Sequence, residues 1–181
     1  MSDAGRPPER TGIKYAEFRT GIGYDSHRFA PGGKMFLGGV EVASAIHLTG
    51  HSDGDAVAHA LTDALLGAAG SDQDIGTFFP DTDPANKGRD SMEMLGHAVE
   101  YVWQRNCVVI NADVTVVTEH PKVSKFRDAI RESLAAVLGV TKTDVGFKGK
   151  SNEGMGWIGR GEGLACIAVV TIALELEQES A

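Results

Sequence analysis

Cysteine is scarce, positive charge is in the minority, and long apolar runs are missing. Each shortage excludes something. The 181-residue chain has 2 cysteines, Cys107 and Cys166, both in apolar runs with a strand pattern. Packed, reduced thiols are expected, although the sequence alone leaves a disulfide open. Lys and Arg total 17 against 25 Asp and Glu, giving a formal net charge of -8 and a sequence pI of about 5.2. Nucleic acid and anionic membranes call for a basic surface, so neither is an expected partner. A phosphorylated ligand would have to be held by a few placed cations or metal ions. No stretch approaches the roughly 20 apolar residues of a membrane helix. The polar N-terminus lacks the hydrophobic segment of a signal peptide, which points to the cytoplasm. There is no internal repeat and no low-complexity segment. Residues 1–17 are expected to form a flexible tail, and 18–181 a single domain with a real core.

The rest of the chain is organised around residues 51–68. Ser52 and Asp55 give a capping-box-like start, so a helix is expected from about residue 53. At 100° per residue, Val57, Leu61, Ala64, Leu65 and Ala68 share an apolar face. Asp55, His59 and Asp63 stack at i, i+4 spacing on the opposite face. Leu66 falls on that polar side, which suggests that something covers it. His51 stands just before the helix, where backbone N–H groups favour an anion.

A strand from Phe18 runs into Asp25-Ser26-His27, whose alternation puts Asp25 and His27 on one face. With His59 they supply one carboxylate and two imidazoles, a set suited to Zn²⁺ with a fourth position open. On spacing alone, unrelated polar residues at strand and helix ends remain an alternative. Met35 to Val42 is expected as a second strand. An acidic loop with two aromatics follows, from Asp72 to Pro84. Its phenylalanines suit folding back over a pocket, and its carboxylates could accept hydrogen bonds from polyol hydroxyls.

Asp90 can cap a helix running to about Asn106. A strand from Cys107 to Thr118 should then bury Val108, Ile110, Ala112, Val114 and Val116 on one side. Pro121 suits the first turn of a helix that buries Phe126, Ile130, Leu134 and Val137 and stops at Gly139. Val145 to Lys150 and Leu164 to Leu174 complete the strands. The pattern indicates α+β, with helices packed on one face of a small mixed sheet. The Gly-rich segment 151–163 could bring amides close to phosphate, with Lys150 and Ser151 completing a cradle. Glu153 is a candidate oxygen ligand for Mg²⁺. The spacing is not that of a P-loop.

Several motifs occur together and in order: Asp25-Ser26-His27, residues 51–55 through His59, and Asp74-Ile75-Gly76. Phe79-Pro80-Asp81-Thr82-Asp83, Pro121-Lys122 and residues 159–163 complete the set. This resembles the 2-C-methyl-D-erythritol 2,4-cyclodiphosphate synthase family, from about residue 18 to the last strand. The resemblance implies cyclisation of 4-diphosphocytidyl-2-C-methyl-D-erythritol 2-phosphate with loss of CMP, in non-mevalonate isoprenoid biosynthesis. It implies a homotrimer with sheets facing the central axis and sites shared between subunits. An isoprenoid diphosphate in the central cavity is a further implied ligand.

Position by position, the resemblance assigns Zn²⁺ to Asp25, His27 and His59, and Mg²⁺ (or Mn²⁺) to Glu153. It places His51 and Ser151 at the transition state. Ser52, Asp63, Asp74, Ile75, Gly76, Phe79, Pro80, Asp81, Thr82 and Asp83 would bind substrate around the methylerythritol. Thr118, Pro121, Lys122, Val123, Ser124, Lys150, Asn152 and Glu153 would hold the cytidine diphosphate. Trp157 and Arg160 match a ligand-contacting pair near the axis. Where the family often reads Lys-Ala-Thr-Thr, this chain has Lys148-Gly149-Lys150-Ser151, so a cation replaces a hydroxyl. Two other classes stay open, one using the same Asp/His/His set and the other Arg160 with the apolar strands. A zinc phosphohydrolase would activate water, and a non-catalytic carrier of isoprenoid diphosphates would leave a cytidylyl substrate intact.

Overall fold

The computed structural model describes residues 17–43, 45–80, 82–86 and 88–174. The expected tail, apart from Glu17, and the candidate site residue Asp81 lie outside the described residues. In chain order the elements are β1 (Phe18–Pro31), β2 (Met35–Leu37), β3 (Val40–Ala43), β4 (Ile46–Leu48), α1 (Ala56–Ala68) and α2 (Ile75–Phe78). Then come α3 (Ser91–Trp103), β5 (Cys107–Val117), α4 (Arg127–Leu138), β6 (Val145–Lys150), α5 (Gly156–Gly159) and β7 (Gly163–Leu174). Five strands form one sheet in the order β4-β1-β7-β5-β6. Only β5 and β6 run parallel, so the sheet is mixed as expected.

Helix α1 lies directly on β1. Gly21 and Gly23 are buried against it, while the alternate Ile22 and Tyr24 point to the open sheet face with 70% and 56% exposure. A Cβ built on Gly23 would fall 1.9 Å from the Ala60 carbonyl oxygen, and one on Gly21 2.0 Å from that of Ala64. Only glycine permits this approach. The apolar face expected of α1 is fully in the core.

The start of α1 differs from the expectation. Asp55 rather than Ser52 is the N-cap, and it accepts hydrogen bonds from the Val57 and Ala58 amides. The same carboxylate accepts from Gly38 N at 2.9 Å and Gly39 N at 2.7 Å. Asp55 is therefore a buried hub, not part of a polar stripe. Burial pushes its carboxyl up, and the amides of Gly39, Gly38 and Ala58 offset this only in part. Leu66 is also fully buried within the chain, so it is no sign of a partner surface.

Three other expectations need correction. Met35 to Val42 is not one strand but the hairpin β2–β3. Its turn residues Gly38 and Gly39 have φ of +58° and +75°, which side chains disfavour. In β5 the register against β7 shifts between Val109 and Asn111. The bulge reverses the facing, so Cys107 and Val109 are buried and Ile110 is exposed, while Ala112, Val114 and Val116 face inward as expected. Pro121 lies in the loop before the 3-10 turn Val123–Phe126, and α4 starts only at Arg127. That helix buries Ile130 and Leu134 together with Ala135 and Leu138, and ends at Gly139 with φ +70°. Val137 and Phe126 are only partly buried.

Both cysteines are buried and free. Cys107 pairs in register with Leu174 and Cys166 with Val116. Eight residues of β7 separate those rows, roughly 26 Å, so the two thiols cannot meet.

Gly23→Ala is expected to lower the unfolding free energy by at least about 3 kcal/mol, because the backbone of α1 must shift to admit the methyl. Gly96→Ala, at a helical site with open space around the position, should instead stabilise by up to about 1 kcal/mol. Urea denaturation of the two variants checks both signs.

Candidate functional site

The register of β1 against α1 creates the site. Two residues beyond Gly23 stands Asp25, and two further His27, both on the helix side of the strand. His59 precedes Ala60, the residue that meets Gly23. The Asp25 Oδ2 atom lies 3.1 Å from His27 Nδ1 and 3.2 Å from His59 Nδ1. The imidazole centroids are 5.1 Å apart. The three side chains are only 11–22% exposed. The expected convergence of Asp25, His27 and His59 is thus present.

The donor set fits a divalent cation. A tetrahedron with bonds of about 2.0–2.1 Å to nitrogen and oxygen has edges near 3.3–3.4 Å, close to the separations seen here. Moreover, His27 Nδ1 is buried without a hydrogen-bond partner. A buried nitrogen aimed beside a carboxylate and left unsatisfied is what a metal ligand presents. Burial opposes ionisation of Asp25, but the adjoining His27 and His59 side chains outweigh it. Its carboxyl is held far below the usual carboxylate range. For His27, burial lowers the pKa and the Asp25 carboxylate raises it, with a net upward shift.

Of the three, His27 and His59 open onto a cavity of about 390 Å³, with Asp25 behind them. Its walls include His51 and Ser52 from the segment before α1, Ile75, Gly76 and Phe79 from around α2, and Asn86 and Met94. Asp63 and Asp74 do not line it. Asp63 accepts from Ile75 N at 2.8 Å, and Asp74 caps α2 by accepting from Thr77 N at 2.8 Å. Both therefore shape the wall rather than face the cavity. Burial raises the Asp63 carboxyl, and the Ile75 amide partly offsets this. Phe79 and Asn86 divide this cavity from a neighbouring one of about 340 Å³, where Pro80 and Asp83 lie with Arg89 and His97. Thr82 is exposed and lines neither.

The remaining candidates gather elsewhere. Thr118, Pro121, Lys122, Val123 and Ser124 meet Gly149, Lys150 and Ser151 in a cleft of about 100 Å³ where β5 and β6 end. Register places Asp25 opposite Cys166, Cys166 opposite Val116, and Val116 opposite Gly149. The cleft is thus three strands, roughly 14 Å, from the metal-type triad. Ser151 Oγ donates to Glu153 Oε1 at 2.7 Å. Asn152 is held through its amide, and Trp157 sits with Ser26, His27, Arg28 and Glu162 in a further cleft of about 300 Å³. Arg160 is paired with Glu162 at 2.6 Å.

Two residues with evident roles had no signal in the sequence. Glu119 accepts from the Asn152 and Gly154 amides at 2.9 and 3.2 Å, fixing the loop that carries Glu153. Those amides, Gly154 first, lower its carboxyl. Ser91 is the first residue of α3, yet its Oγ lies 2.9 Å from His59 Nε2. Neither spacing nor composition marks a serine on a distant helix as a neighbour of a histidine.

A mixed-sheet α+β domain whose carboxylate and two imidazoles could together hold a metal ion beside a cavity has the make-up of a small-molecule enzyme. Within that class, the sequence matches the YgbB family over residues 18–173, and the chain belongs to that family. It is 59% identical over 154 residues to the 2-C-methyl-D-erythritol 2,4-cyclodiphosphate synthase of Gemmatimonas aurantiaca, covering 85% of this chain and 92% of that one. The fold superimposes on a Plasmodium falciparum IspF–CDP complex with TM-score 0.78 and 31% identity, covering 90% of this chain and all of that one. It also matches the bifunctional IspDF of Campylobacter jejuni with TM-score 0.85 and 38% identity, covering 88% of this chain and 43% of that larger one.

Titration with zinc should fill one site per chain. His59→Ala should weaken binding by more than about 100-fold with an unchanged circular-dichroism spectrum, since His59 is outside the apolar face of α1. Metal analysis of the purified variant decides this, and full zinc occupancy would remove His59 from the site.

Proposed function

We propose that this chain converts 4-diphosphocytidyl-2-C-methyl-D-erythritol 2-phosphate into 2-C-methyl-D-erythritol 2,4-cyclodiphosphate and CMP. The observation that carries the proposal is the Asp25–His27–His59 cluster opening onto the cavity walled by His51, Ile75, Gly76 and Phe79. Relatives 43–59% identical to this chain carry the name of this synthase. The solved homologues with CDP bound supply the nucleotide half of the same reading.

The chemistry asks little covalent work of the protein. A 2-phosphate oxygen of the substrate forms a bond to the β-phosphorus. The bond from that phosphorus to the bridging oxygen breaks, and its electron pair leaves with CMP. The nucleophile is already present, so positioning and charge neutralisation are what the site must add. Asp25, His27 and His59 would hold zinc, and Glu153 magnesium or manganese. Bound there, these ions supply Lewis-acid withdrawal of charge from the phosphoryl oxygens. His51 and the amides ahead of α1 face the cavity where the phosphate would sit, and Ile75, Gly76 and Phe79 enclose the methylerythritol. Lys150 stands at the cytidylyl cleft with Lys122, Ser124 and Ser151. Its ammonium would replace a hydroxyl contact with a direct charge on the α-phosphate that leaves as part of CMP.

Within one chain the triad's cavity and the cytidylyl cleft share no lining residue. A homotrimer that sets the cleft of one copy against the triad of the next supplies both halves to a single substrate. The open sheet face supports that assembly. Phe18, Ile22, Tyr24 and Ile167 are exposed there, an apolar surface that sheets facing a common axis would cover. A cavity along that axis would offer an isoprenoid diphosphate an apolar lining, with Arg160 as the cation. No helix among the described residues is long and apolar enough to cross a membrane, in keeping with work in the cytoplasm.

Incubation with the cytidylyl substrate and divalent cations should yield equimolar CMP and cyclic diphosphate by mass spectrometry. Release of inorganic phosphate would instead indicate a phosphohydrolase, and recovery of intact substrate a carrier. Glu153→Gln should keep zinc yet need more magnesium for half-maximal CMP release, because an amide is a poorer ligand than a carboxylate. Unchanged magnesium titrations would reduce Glu153 to a loop residue.

The shared site has its own test. Two inactive variants, His59→Ala and Glu153→Ala, are refolded together from an equal mixture. A working site needs its zinc half from one variant and its nucleotide half from the other, so about a quarter of sites should recover. No recovery in mixed trimers, verified by native mass spectrometry, would place both halves on one chain.

A further inference from the structure

His59 has two ring nitrogens, and only one can face a metal. Nδ1 is the atom beside Asp25 Oδ2, at 3.2 Å. On the other side, Nε2 meets Ser91 Oγ at 2.9 Å and Ser52 Oγ at 3.0 Å. Ser91 is completely buried, and its hydroxyl lies 2.5 Å from Asp53 Oδ1. Asp53 also accepts from the Ser91 amide at 3.3 Å and the Asp55 amide at 3.1 Å.

Proton counting gives this chain a direction. An ionised carboxylate can only accept, so the Ser91 hydroxyl proton is committed to Asp53. The Ser91 oxygen then has only lone pairs to offer His59. At 2.9 Å, two facing lone pairs would repel, so Nε2 must carry the imidazole proton and donate. Ser52 fits the same order. Its oxygen accepts from Gly54 N at 3.2 Å, and its own proton can pass to Ser91 Oγ at 3.0 Å. With the proton on Nε2, the lone pair of a neutral His59 sits on Nδ1, facing Asp25 Oδ2 at 3.2 Å, an arrangement of acceptors that only a cation held between them makes favourable.

We propose that Asp53 and Ser91 are positioning residues that fix the Nε2–H tautomer of His59 and so turn Nδ1 toward the metal. The inference rests on the metal-site reading above and deepens it. Asp53 does not act on substrate. It is absent from the walls of the triad's cavity and instead lines a separate cleft with Phe36, Gly39 and Met92. The relay therefore passes through the wall from behind, from the segment before α1 to the first turn of α3 and back to α1. Hydrogen-bonded partners of this kind typically govern metal affinity by about 10–100-fold.

The test uses the full chain with zinc as the probe and a competing chelator to read affinity. Ser91→Ala and Asp53→Asn should each weaken zinc binding by about 10–100-fold. The double variant should be little worse than either single one, because both changes cut one relay. Asp53→Asn keeps size and shape, so it carries the test if Ser91→Ala fails to fold. In ¹⁵N-edited spectra of the zinc-loaded protein, the His59 Nε2 proton should be resolved and slow to exchange, and Ser91→Ala should speed its exchange. General destabilisation would not select that one proton. Affinities within threefold of the parent, or ligation of zinc through Nε2, would overturn the relay while leaving the metal site standing. A parent chain that binds no zinc would overturn both.

Discussion

The contact between α1 and β1 is the constraint on which the rest depends. Gly21 and Gly23 offer no Cβ, and Ala60 and Ala64 present backbone with only a methyl beside it, so helix and strand touch main chain to main chain. That closeness is why His59, one residue from Ala60, can reach Asp25 and His27 just past Gly23. With the edges of the triad at 3.1 and 3.2 Å, an outward displacement of α1 by a single carbon radius would open the coordination set. Misplacement on the order of 1 Å can cost two orders of magnitude in rate. The glycines of the strand thus help to shape the candidate metal site, although they belong to none of its three side chains.

Four aspartates crowd the same end of the molecule, and each is assigned by the donors it meets. Asp25 meets two imidazoles and becomes the carboxylate of the triad. Asp53 meets a hydroxyl and two amides, and sets the direction of the chain behind His59. Asp55, wholly buried, ties the β2–β3 turn to the start of α1 through four amides. Asp63 holds the first residue of α2. A net charge of -8 is therefore a poor guide to what this surface binds. Much of the acid at this end is engaged internally, which leaves the proposed recognition of phosphate to a few lysines, amides and bound cations.

Separation is the other theme. The triad and the cleft lined by Lys122, Ser124, Lys150 and Ser151 lie at the same end of the sheet but three strands apart. The mixed order β4-β1-β7-β5-β6 places β7, the last strand in the chain, between them. The same sheet leaves Phe18, Ile22, Tyr24 and Ile167 exposed on its other face, the surface that the proposed trimer would cover.

The sequence by itself determined the local matters. Periodicity located α1, α3, α4 and the long strands, alternation aligned Asp25 with His27, and i, i+4 spacing isolated His59 on the polar side of its helix. These follow from geometry that a few consecutive residues carry on their own. Local pattern failed where a distant partner decided the outcome. Asp55 became a buried cap because Gly38 and Gly39 arrived to donate to it, and the facing of β5 reversed at a bulge set by pairing with β7. Leu66 was covered by the chain itself. Ser91 and Glu119 acquired roles only through residues 32 or more positions away. Hydrogen bonds to such partners leave no period and no composition behind. Only the tertiary structure, by bringing donor and acceptor within 3 Å or so, could decide them.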